Sequence, residues 1–404
     1  MIQPRMGEAL AELPALSMAE VPSSTYRVQF QPDCTFAQIT RAVPYLDALG
    51  ISHLYSSPYL RARAGSTHGY DIVDHSALNP EIGDAADHER LCETLRRHGM
   101  RQMLDVVPNH MGVLEADNAW WLDVLENGPA SAHADTFDIE WHPADPDMAG
   151  RVLLPVLGDH YGRVLEAGEI QLKFHAETGE FSLHYFGHRF PIDPSHYHQI
   201  FDVHAAPPPR NEAEAQSQAI MASLLDALAM LPPRDAEDEV SRRARLRDGA
   251  IHKKGLARLA RQHSWLAEWI SDCLKGLNGH AGEASSFDAL DRLIGCQAYR
   301  LADWRVASDD VNYRRFFDVN TLAGVRVEQP HVFDATHLLV LRWLTGGQVA
   351  ALRIDHPDGL SDPQRYFERL QSHYAGAAVV QRREPPALYR VVEKMLAELE
   401  MLPD

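Results

Sequence analysis

The chain has 404 residues and a mass of 45.3 kDa, a length that allows two or three domains or one large barrel with insertions. Its 38 Lys and Arg against 57 Asp and Glu give a formal net charge of −19. This charge disfavours nucleic acid and anionic membrane surfaces as partners, because their phosphates carry the same sign. Charged residues at 24% and hydrophobic residues at 45% are ordinary globular values and exclude a disordered or fibrous class.

The cysteines and the N-terminus predict a cytoplasmic protein. Four cysteines are scattered without a Cys-x-x-Cys pair, so neither a disulfide framework nor a thiolate zinc site is indicated. Residues 1–22 carry Glu8, Glu12 and Glu20 among apolar residues and lack the apolar run of a secretory signal. We expect these residues to form a tail, and no stretch of the sequence has the apolar length of a membrane span.

After the tail, the chain alternates predicted strands with predicted helices. β-Branched and aromatic residues predict a strand over 25–30. Apolar residues at helical spacing predict a helix over 36–49, which Gly50 ends. A second short strand is predicted over 51–56.

The alternation continues beyond a segment rich in Gly, His and Asp, which we interpret as a loop. Asp84 is the predicted N-cap of a helix that Gly99 ends. Residues 100–107 predict a buried third strand that runs into Asn109 and His110. This spacing predicts an α/β fold with a parallel sheet and crossover helices.

More than two hundred residues then depart from the alternation, too many for a loop in a compact domain. Short apolar runs separated by glycine predict a β-rich insertion over 151–190. An Ala-, Leu-, Arg- and Glu-rich composition predicts a helical insertion over 211–277, with one break at Pro232-Pro233. The helical pattern continues over 287–304. A helix over 334–344 follows.

The alternation of strand and helix returns in the last part of the sequence. An apolar strand is predicted over 349–355, a helix after Asp362-Pro363, and a further strand from Ala387 to Glu393. Polar clusters thus end three predicted strands, and in a parallel βα barrel the carboxyl ends of all strands share one face. Carboxylates from separate strands are therefore expected to converge there.

Asp355 and Glu393 are the predicted catalytic pair, because glycoside cleavage needs one carboxylate that attacks the anomeric carbon and one carboxylic acid that protonates the leaving oxygen. Arg353 shares a strand face with Asp355 and is expected to keep it ionised as the nucleophile. Burial of the apolar strand before Glu393 is expected to raise the pKa of that residue and keep a proton available. Taken singly, each could be a helix cap or a structural ion pair.

These motifs resemble a known enzyme group. Asp105-Val-Val-Pro-Asn-His110, Arg353-Ile-Asp355 and the strand-ending Glu393 resemble the first three sequence regions of the α-amylase superfamily of retaining glycoside enzymes, glycoside hydrolase family 13. Four strings look like its maltooligosyl trehalose synthase branch: His68-Gly-Tyr-Asp71, Asn312-Tyr-Arg-Arg-Phe-Phe-Asp318, Leu352-Arg-Ile-Asp-His-Pro-Asp-Gly-Leu360 and Val391-Val-Glu-Lys394. The resemblance runs from about Ser24 to the last residue.

The fold that this resemblance implies is a (β/α)8 TIM-type barrel with the β-rich and helical insertions after its third strand. The implied domains are a tail over 1–22, barrel segments over 23–115 and 331–404, and inserted subdomains over 116–330. Family members continue past the fifth strand and carry a third catalytic carboxylate there. We therefore expect an incomplete barrel of strands 1 to 5, either a fragment or a short relative, whose open edge leaves the isolated chain insoluble or partly unfolded.

The resemblance also assigns roles by position. Asp355 matches the nucleophile, Glu393 the general acid/base and Arg353 the arginine that holds the nucleophile. Tyr70 matches an aromatic platform under the sugar, and His110 matches a histidine that hydrogen-bonds it; His68 and Asp71 are further candidate sugar contacts. Asp105 is expected to brace Arg353. Arg314 and Arg315 are either a solvated pair or a distant sugar site.

The implied reaction is an intramolecular transglycosylation in trehalose biosynthesis. Asp355 would displace the reducing-end glucose of a maltooligosaccharide, and this glucose would turn over and attack the glycosyl-enzyme, converting an α-1,4 into an α,α-1,1 linkage. The large insertion is a candidate lid that excludes water. No metal or organic cofactor is called for; Asn109 matches a calcium ligand of many amylases, but no metal is assigned.

Three alternatives stay open. The chain could be an α-amylase-like hydrolase of α-1,4-glucans, or an inactive carbohydrate-binding remnant without the third carboxylate. A metal hydrolase is suggested by the 22 histidines, including His184 with His188 and His196 with His198. No Glu intervenes in His-Glu-x-x-His fashion, so ordinary core or surface histidines are the favoured interpretation.

Overall fold

The computed structural model describes residues 21–115, 117–380, 387–396 and 400–401, so residues 1–20 of the predicted tail lie outside the described residues. The strands are β1 (Thr25–Val28), β2 (His53–Ser56), β3 (Leu60–Ala62), β4 (Ile72–Leu78), β5 (Arg101–Val106), β6 (His110–Gly112), β7 (Val152–Leu157), β8 (Gln171–His175), β9 (Glu180–Tyr185), β10 (His188–Pro191), β11 (Tyr299–Asp303), β12 (Arg315–Phe316), β13 (Val319–Gly324), β14 (Ala351–Ile354) and β15 (Tyr389–Val392). The α-helices are α1 (Phe36–Ala48), α2 (Ala85–Arg97), α3 (Ala119–Asn127), α4 (Tyr161–Glu166), α5 (Tyr197–Phe201), α6 (Glu212–Ala229), α7 (Glu239–Gln262), α8 (Ser264–Leu277), α9 (Asp288–Gly295), α10 (Ala307–Asp310), α11 (Pro330–Thr345) and α12 (Pro363–Val380).

The chain divides into two compact units. One contains the residues up to Gly112 together with those from Gly324 onward, and the other contains Val113–Ala323. The domain division predicted from the sequence, with an insertion over 116–330, stays a prediction. Of the helices that the structure describes, none combines the length and the apolar character needed to cross a membrane.

The first unit is built on a five-stranded sheet in the order β1-β2-β5-β14-β15. All four neighbouring pairs run parallel, and the strands lie side by side in chain order. The predicted α/β class with a parallel sheet is therefore confirmed. Because the strands are parallel, their carboxyl ends share one edge, which is where the predicted polar clusters lie.

Local sequence signals explain where the first helices begin and end. Asp84 caps α2 as predicted: its side chain accepts a hydrogen bond of 2.8 Å from the backbone N–H of Asp87, whose own carboxylate reaches back to the N–H of Asp84. Gly99 follows α2 with φ at 70°, a left-handed conformation that glycine adopts without steric cost. Both predicted signals are confirmed.

The interpretation of the segment rich in Gly, His and Asp as a loop is wrong in part. It contains β3 and β4, which pair antiparallel with two shifts in register. Short strands with irregular pairing lack the period-2 pattern that identifies a strand from sequence.

Aromatic packing holds the helices against the sheet of the first unit. Phe30, Phe36 and Tyr59 meet pairwise with ring centroids 5.0 to 5.2 Å apart, and all three are buried. His88 of α2 and Trp343 of α11 extend this cluster at 5.2 Å from each other. Such tilted and edge-on pairs add to the stabilisation from buried apolar area.

The second unit contains the β-rich and helical segments. Strands β8, β9 and β10 form an antiparallel sheet in the order β10-β9-β8. Helices α6, α7 and α8 follow, and the predicted break at Pro232-Pro233 falls between α6 and α7. The β-rich and helical character predicted for these two segments is what the structure shows.

The helical pattern predicted over 287–304 is wrong in its second half. Helix α9 ends at Gly295, and residues 299–303 form strand β11, which pairs parallel with β7. Tyr299, Leu301 and Asp303 are buried while Arg300 is exposed, which is the alternation of a strand. The run is too short for this period to stand out from a helical one.

Candidate active site

The guanidinium of Arg353 lies among three carboxylates at the carboxyl end of the sheet. Its Nη1 donates to Asp105 Oδ1 at 2.9 Å and to Asp355 Oδ1 at 2.6 Å. Its Nη2 lies 3.2 Å from Glu393 Oε1. Arg353 on β14 is the register partner of Asp105 on β5, so the parallel pairing places these two side chains next to each other.

The four charged groups differ in exposure. Asp105 is 1% and Asp355 is 6% exposed, whereas the side chain of Glu393 is 31% exposed. The two buried carboxylates are therefore held by the arginine in a site with little water, and Glu393 lies at its rim. Removing the cation from such a cluster would leave buried charge unpaired, which is costly.

Arg353 lowers the pKa of Asp355 in the direction expected, but burial has the larger effect. Burial raises the pKa of Asp355 to about 6, and the neighbouring charges of Asp105 and Glu393 add to this rise, while Arg353 opposes it. Burial likewise raises the pKa of Asp105. The sequence shows that a cation is near but not how much water the fold removes from the carboxylate.

Glu393 is held by a backbone group rather than by burial. Its Oε2 accepts a hydrogen bond of 2.9 Å from the backbone N–H of His356. His356 adopts a left-handed conformation with φ at 44° and ψ at 53°, which is uncommon for a residue with a side chain and is typical of functional sites. Glu393 is less buried than expected, with its side chain 31% exposed, and Val391 and Val392 of its strand are also exposed.

Gly359 allows the turn after β14 to pass close to the end of β5. A Cβ at this position would lie 2.6 Å from Asn109 Oδ1 and 2.6 Å from His356 Cδ2. No real side chain tolerates these distances, so only glycine fits without displacing the two neighbours. This contact gives a physical reason for the glycine in the Arg353-to-Leu360 motif.

Two tyrosines complete the surroundings of Asp105, and sequence reasoning missed one of them. The hydroxyl groups of Tyr55 and Tyr70 both donate to Asp105 Oδ2, at 3.2 and 2.5 Å. Arg27 donates to the Tyr70 hydroxyl at 3.0 Å and lies 5.6 Å from the centre of the Tyr55 ring. No sequence signal marked Tyr55, because its place next to Arg27 is set by the register between β1 and β2.

The other predicted sugar contacts differ in accessibility. His68 is partly exposed, with its ring centroid 6.0 Å from that of Tyr70. Asp71 is buried and accepts from Ser66 Oγ at 2.5 Å, while Arg63 lies 3.4 Å from its other oxygen. His110 is buried. Of this group, His68 and Tyr70 are thus partly open, whereas Asp71 is engaged within the protein.

The Asn312-to-Asp318 motif lies in the second unit and ties backbone segments together. Asn312 Oδ1 accepts from the N–H of Leu153, and its Nδ2 donates to the carbonyls of Glu140 and Arg151, all within 2.9 Å. Arg314 pairs with Asp138 at 3.0 Å, and Arg315 donates to Asn320 Oδ1. These contacts give Asn312, Arg314 and Arg315 of the motif a structural role within the second unit.

The histidines of the metal-hydrolase alternative do not form a ligand set among the described residues. His184 and His188 lie on successive strands of a hairpin and not on a helix. Another group, Asp159, His160 and Asp303, brings three possible ligand atoms within 4.8 Å. Arg163 and Arg305 already pair with its two carboxylates.

Comparison with known proteins agrees with the motifs. Residues 24–192 match the α-amylase catalytic-domain family. Over 393 residues, or 94% of the chain, the sequence is 32% identical to a putative maltooligosyl trehalose synthase of Mycobacterium tuberculosis, covering 35% of that protein. An intracellular maltogenic amylase of Bacillus subtilis is 36% identical over 113 residues, which are 28% of this chain and 18% of that one.

A solved structure gives the same result. The maltooligosyltrehalose synthase of Arthrobacter ramosus aligns with a TM-score of 0.61 and 32% identity over 95% of this chain and 36% of that one. The chain thus spans about a third of the length of these relatives. The resemblance inferred from the motifs is confirmed: residues 24–192 match the α-amylase catalytic-domain family, and nearly the whole chain is similar to maltooligosyl trehalose synthases.

Proposed function

We propose that the chain supplies the nucleophile and the general acid/base of an intramolecular transglycosylase, which converts the reducing-end α-1,4 linkage of a maltooligosaccharide into an α,α-1,1 linkage. The observation that supports this most strongly is the shared contact of Asp355 and Glu393 with one guanidinium, that of Arg353. Retaining glycoside chemistry needs two carboxyl groups on either side of one bond.

Asp355 is the proposed nucleophile. With a pKa of about 6, it is ionised in roughly nine molecules of ten at pH 7. Its Oδ1 is held by Arg353 at 2.6 Å, which fixes the orientation of the carboxylate. Attack on the anomeric carbon forms the Asp355–sugar bond and breaks the bond to the leaving glucose oxygen.

Glu393 is the proposed general acid/base. It protonates the oxygen that leaves, then takes a proton from the anomeric hydroxyl of the released glucose as that hydroxyl attacks the glycosyl-enzyme. The hydrogen bond from the His356 N–H to Oε2 fixes one oxygen of this group. Tyr70 and His68, which are partly open, are proposed to contact the sugar bound at the site.

We further propose that β1, β2, β5, β14 and β15 are strands 1 to 5 of a (β/α)8 barrel, and that the second unit is inserted after the third strand. Their parallel pairing in chain order supports this assignment, as does the helix that precedes or follows each of them along the chain. The chain's place in the cytoplasm is likewise a proposal.

The direct test is incubation of the purified chain with maltopentaose, with reducing ends and oligosaccharide mass followed together. The proposed function predicts loss of reducing ends at constant mass. Asp355→Asn should abolish this change. Asp358→Asn is the matched control, because Asp358 lies in the same turn but pairs with Lys394 at 2.9 Å and not with Arg353; its rate should stay within a few-fold of the parent chain.

Two other results would contradict the proposal. Gain of reducing ends with shorter products indicates an α-1,4-glucan hydrolase. Saturable binding of maltopentaose without any change in either quantity indicates a carbohydrate-binding module.

A further inference from the structure

A polar cavity of about 470 Å³ lies wholly within the unit Val113–Ala323. Its volume falls in the range of about 300–1,000 Å³ that is typical of small-molecule sites. Charged and polar side chains on its wall alternate with apolar ones. The wall residues that matter here are Asp193, His196, His198, Arg234, Leu231 and Pro233.

Only one of the two carboxylate oxygens of Asp193 accepts hydrogen bonds from the described residues. Asp193 is 1% exposed, and its Oδ1 accepts three hydrogen bonds, from the Ser195 N–H, the Ser195 hydroxyl and Arg245 Nη2. Its Oδ2 accepts none from the described residues. Arg234 Nε forms an ion pair with Oδ2 at 3.5 Å, and the imidazole nitrogen Nδ1 of His196 lies 3.7 Å from the same oxygen.

Two further buried polar atoms on the same wall also lack a hydrogen-bond partner among the described residues. Arg234 Nη2 donates to the Cys296 carbonyl at 2.8 Å, whereas Arg234 Nη1 has no hydrogen-bond partner in the part of the chain that the structure describes. His196 Nδ1 likewise has none there. Buried polar atoms in native proteins are almost always satisfied, by protein, by water or by a ligand.

The charges around the cavity select the kind of molecule that fits. Burial raises the pKa of Asp193, but Arg245 and Arg234 outweigh it, so the pKa lies below its usual range. Burial lowers the pKa of His196, with the attraction of Asp193 opposing, so its ring is neutral at pH 7. The wall carries two carboxylates, of Asp193 and Asp235, and two guanidinium groups, of Arg234 and Arg245, so these charges balance and favour a neutral ligand.

A single bridging water also fits less well than a larger ligand. Water occupies about 30 Å³ in the liquid, so one molecule near Asp193 would leave most of the 470 Å³ unused. The unsatisfied atoms comprise one acceptor, one donor and one nitrogen that can serve as either. This is the pattern that adjacent hydroxyl groups of a neutral sugar satisfy, each giving one hydrogen bond and accepting another.

We propose that this cavity binds a glucose unit of an α-1,4-glucan, with Asp193 Oδ2 accepting from one hydroxyl and Arg234 Nη1 donating to its neighbour. His196 Nδ1 contacts a third polar atom of the same sugar, and Leu231 and Pro233 pack on its apolar face. The identification of the sugar as a glucan rests on the proposed function. The preference for a neutral polyhydroxy compound rests on the cavity alone.

The test uses the full chain carrying Asp355→Asn, so that sugar is not turned over, and titrates it with maltotriose. Binding is read from the backbone amide signals of Ser195, His196 and Tyr197 by NMR, because Ser195 and His196 line this cavity. Saturable shifts are expected. Arg234→Lys, which keeps the charge but removes Nη1, should weaken the binding about tenfold, the size expected for one hydrogen bond to a charged group.

His196→Ala is a second variant and should weaken binding similarly. The matched control is His198→Ala, because His198 lines the same cavity but its Nδ1 already contacts the Ser195 carbonyl at 3.0 Å. This variant should bind maltotriose within about threefold of the parent. Thermal unfolding of each variant shows that the fold is intact.

The inference is overturned if maltotriose moves none of the three signals, or if inorganic phosphate moves them and competes with the sugar. Equal weakening by His198→Ala and by Arg234→Lys would also contradict it. The proposed function fails independently: shifts at His196 without loss of reducing ends from maltopentaose would retain this site and reject the transglycosylase, and the reverse pattern would do the opposite.

Discussion

Arg353 is the residue through which the carboxylates of the candidate site contact one another. Its neighbour Asp355 could be predicted from period-2 alternation along one strand. Asp105 was expected beside Arg353 from the resemblance alone, and the parallel register of β5 and β14 places it there. The pKa of Asp355 could not be predicted from the sequence. Burial outweighs the effect of the arginine and raises the pKa of Asp355 to about 6. The extent of burial depends on the folded structure and not on the residues that are adjacent in the sequence.

Replacing Asp355 by Asn should stabilise the protein at neutral pH. A carboxyl whose pKa rises from 3.8 to about 6 on folding stabilises the fold while protonated and loses that contribution as the pH rises through both values. The shift of about 2 units bounds the cost of ionisation at roughly 3 kcal/mol. Loss of the Arg353 contact reduces the gain, so we expect the Asn variant to be more stable by about 1 kcal/mol at pH 7.5.

Urea unfolding at pH 7.5 and pH 4.5 measures this effect, and the advantage of the Asn variant should disappear at pH 4.5. Asp318→Asn is the control at a fully exposed side chain and should change stability at neither pH. A lower stability of Asp355→Asn at pH 7.5 than at pH 4.5, relative to the parent, would show that the pKa of Asp355 is depressed instead.

Gly359→Ala should damage the site by steric overlap. The new Cβ would lie 2.6 Å from Asn109 Oδ1, so the turn after β14 must shift, at a cost of about 1–3 kcal/mol. Gly376→Ala is the matched control, because nothing lies within 4 Å of a Cβ there and α12 should gain about 0.5–1 kcal/mol from the better helix former. Thermal unfolding of both variants should move in opposite directions, and movement in the same direction would contradict the close contact.

At the scale of elements, segments with a clear apolar pattern were predictable, whereas the strands β3, β4 and β11 were not. Helix α2 carried its own boundary signals in Asp84 and Gly99. Strand β11 was assigned to a helix because its five residues are fixed by pairing with β7, a segment almost 150 positions away. Register partners such as Arg27 and Tyr55 were also missed, because the sequence of one strand does not determine which residues of another strand it pairs with.

Lys253 is predicted to hold three elements of the second unit together. Its Nζ on α7 contacts Glu126 of α3 at 2.8 Å and Glu180 of β9 at 3.0 Å, with little exposure of the lysine or of Glu126. Lys253→Met leaves these carboxylates close together without a cation, and we expect a loss of about 3 kcal/mol. Lys254→Met, at the exposed neighbouring position, should cost less than about 0.5 kcal/mol.

Urea unfolding of the two methionine variants decides this prediction. Equal stability of Lys253→Met and Lys254→Met would mean that the buried pair contributes nothing beyond the packing of its side-chain carbons.

At the scale of the molecule, the order of the motifs predicts a resemblance to maltooligosyl trehalose synthases, and 94% of the chain aligns with one of them at 32% identity. The resemblance rests on short motifs at strand ends, where the proposed chemistry requires both a particular residue type and a particular position on the sheet. No sequence motif indicated the cavity around Asp193. Its residues come from several separate segments that only the fold of the second unit brings together.

The central claim is that Asp355 forms a covalent bond to the sugar, with Glu393 as its acid/base partner. The most direct measurement traps this bond: the Glu393→Gln chain is incubated with α-maltotriosyl fluoride, whose fluoride leaves without an acid, and the digested protein is mapped by mass spectrometry. The account predicts one added maltotriosyl mass on the peptide containing Asp355 and none in the Asp355→Asn, Glu393→Gln double variant. A label on any other carboxylate, or turnover that persists in Asp355→Asn, would contradict it.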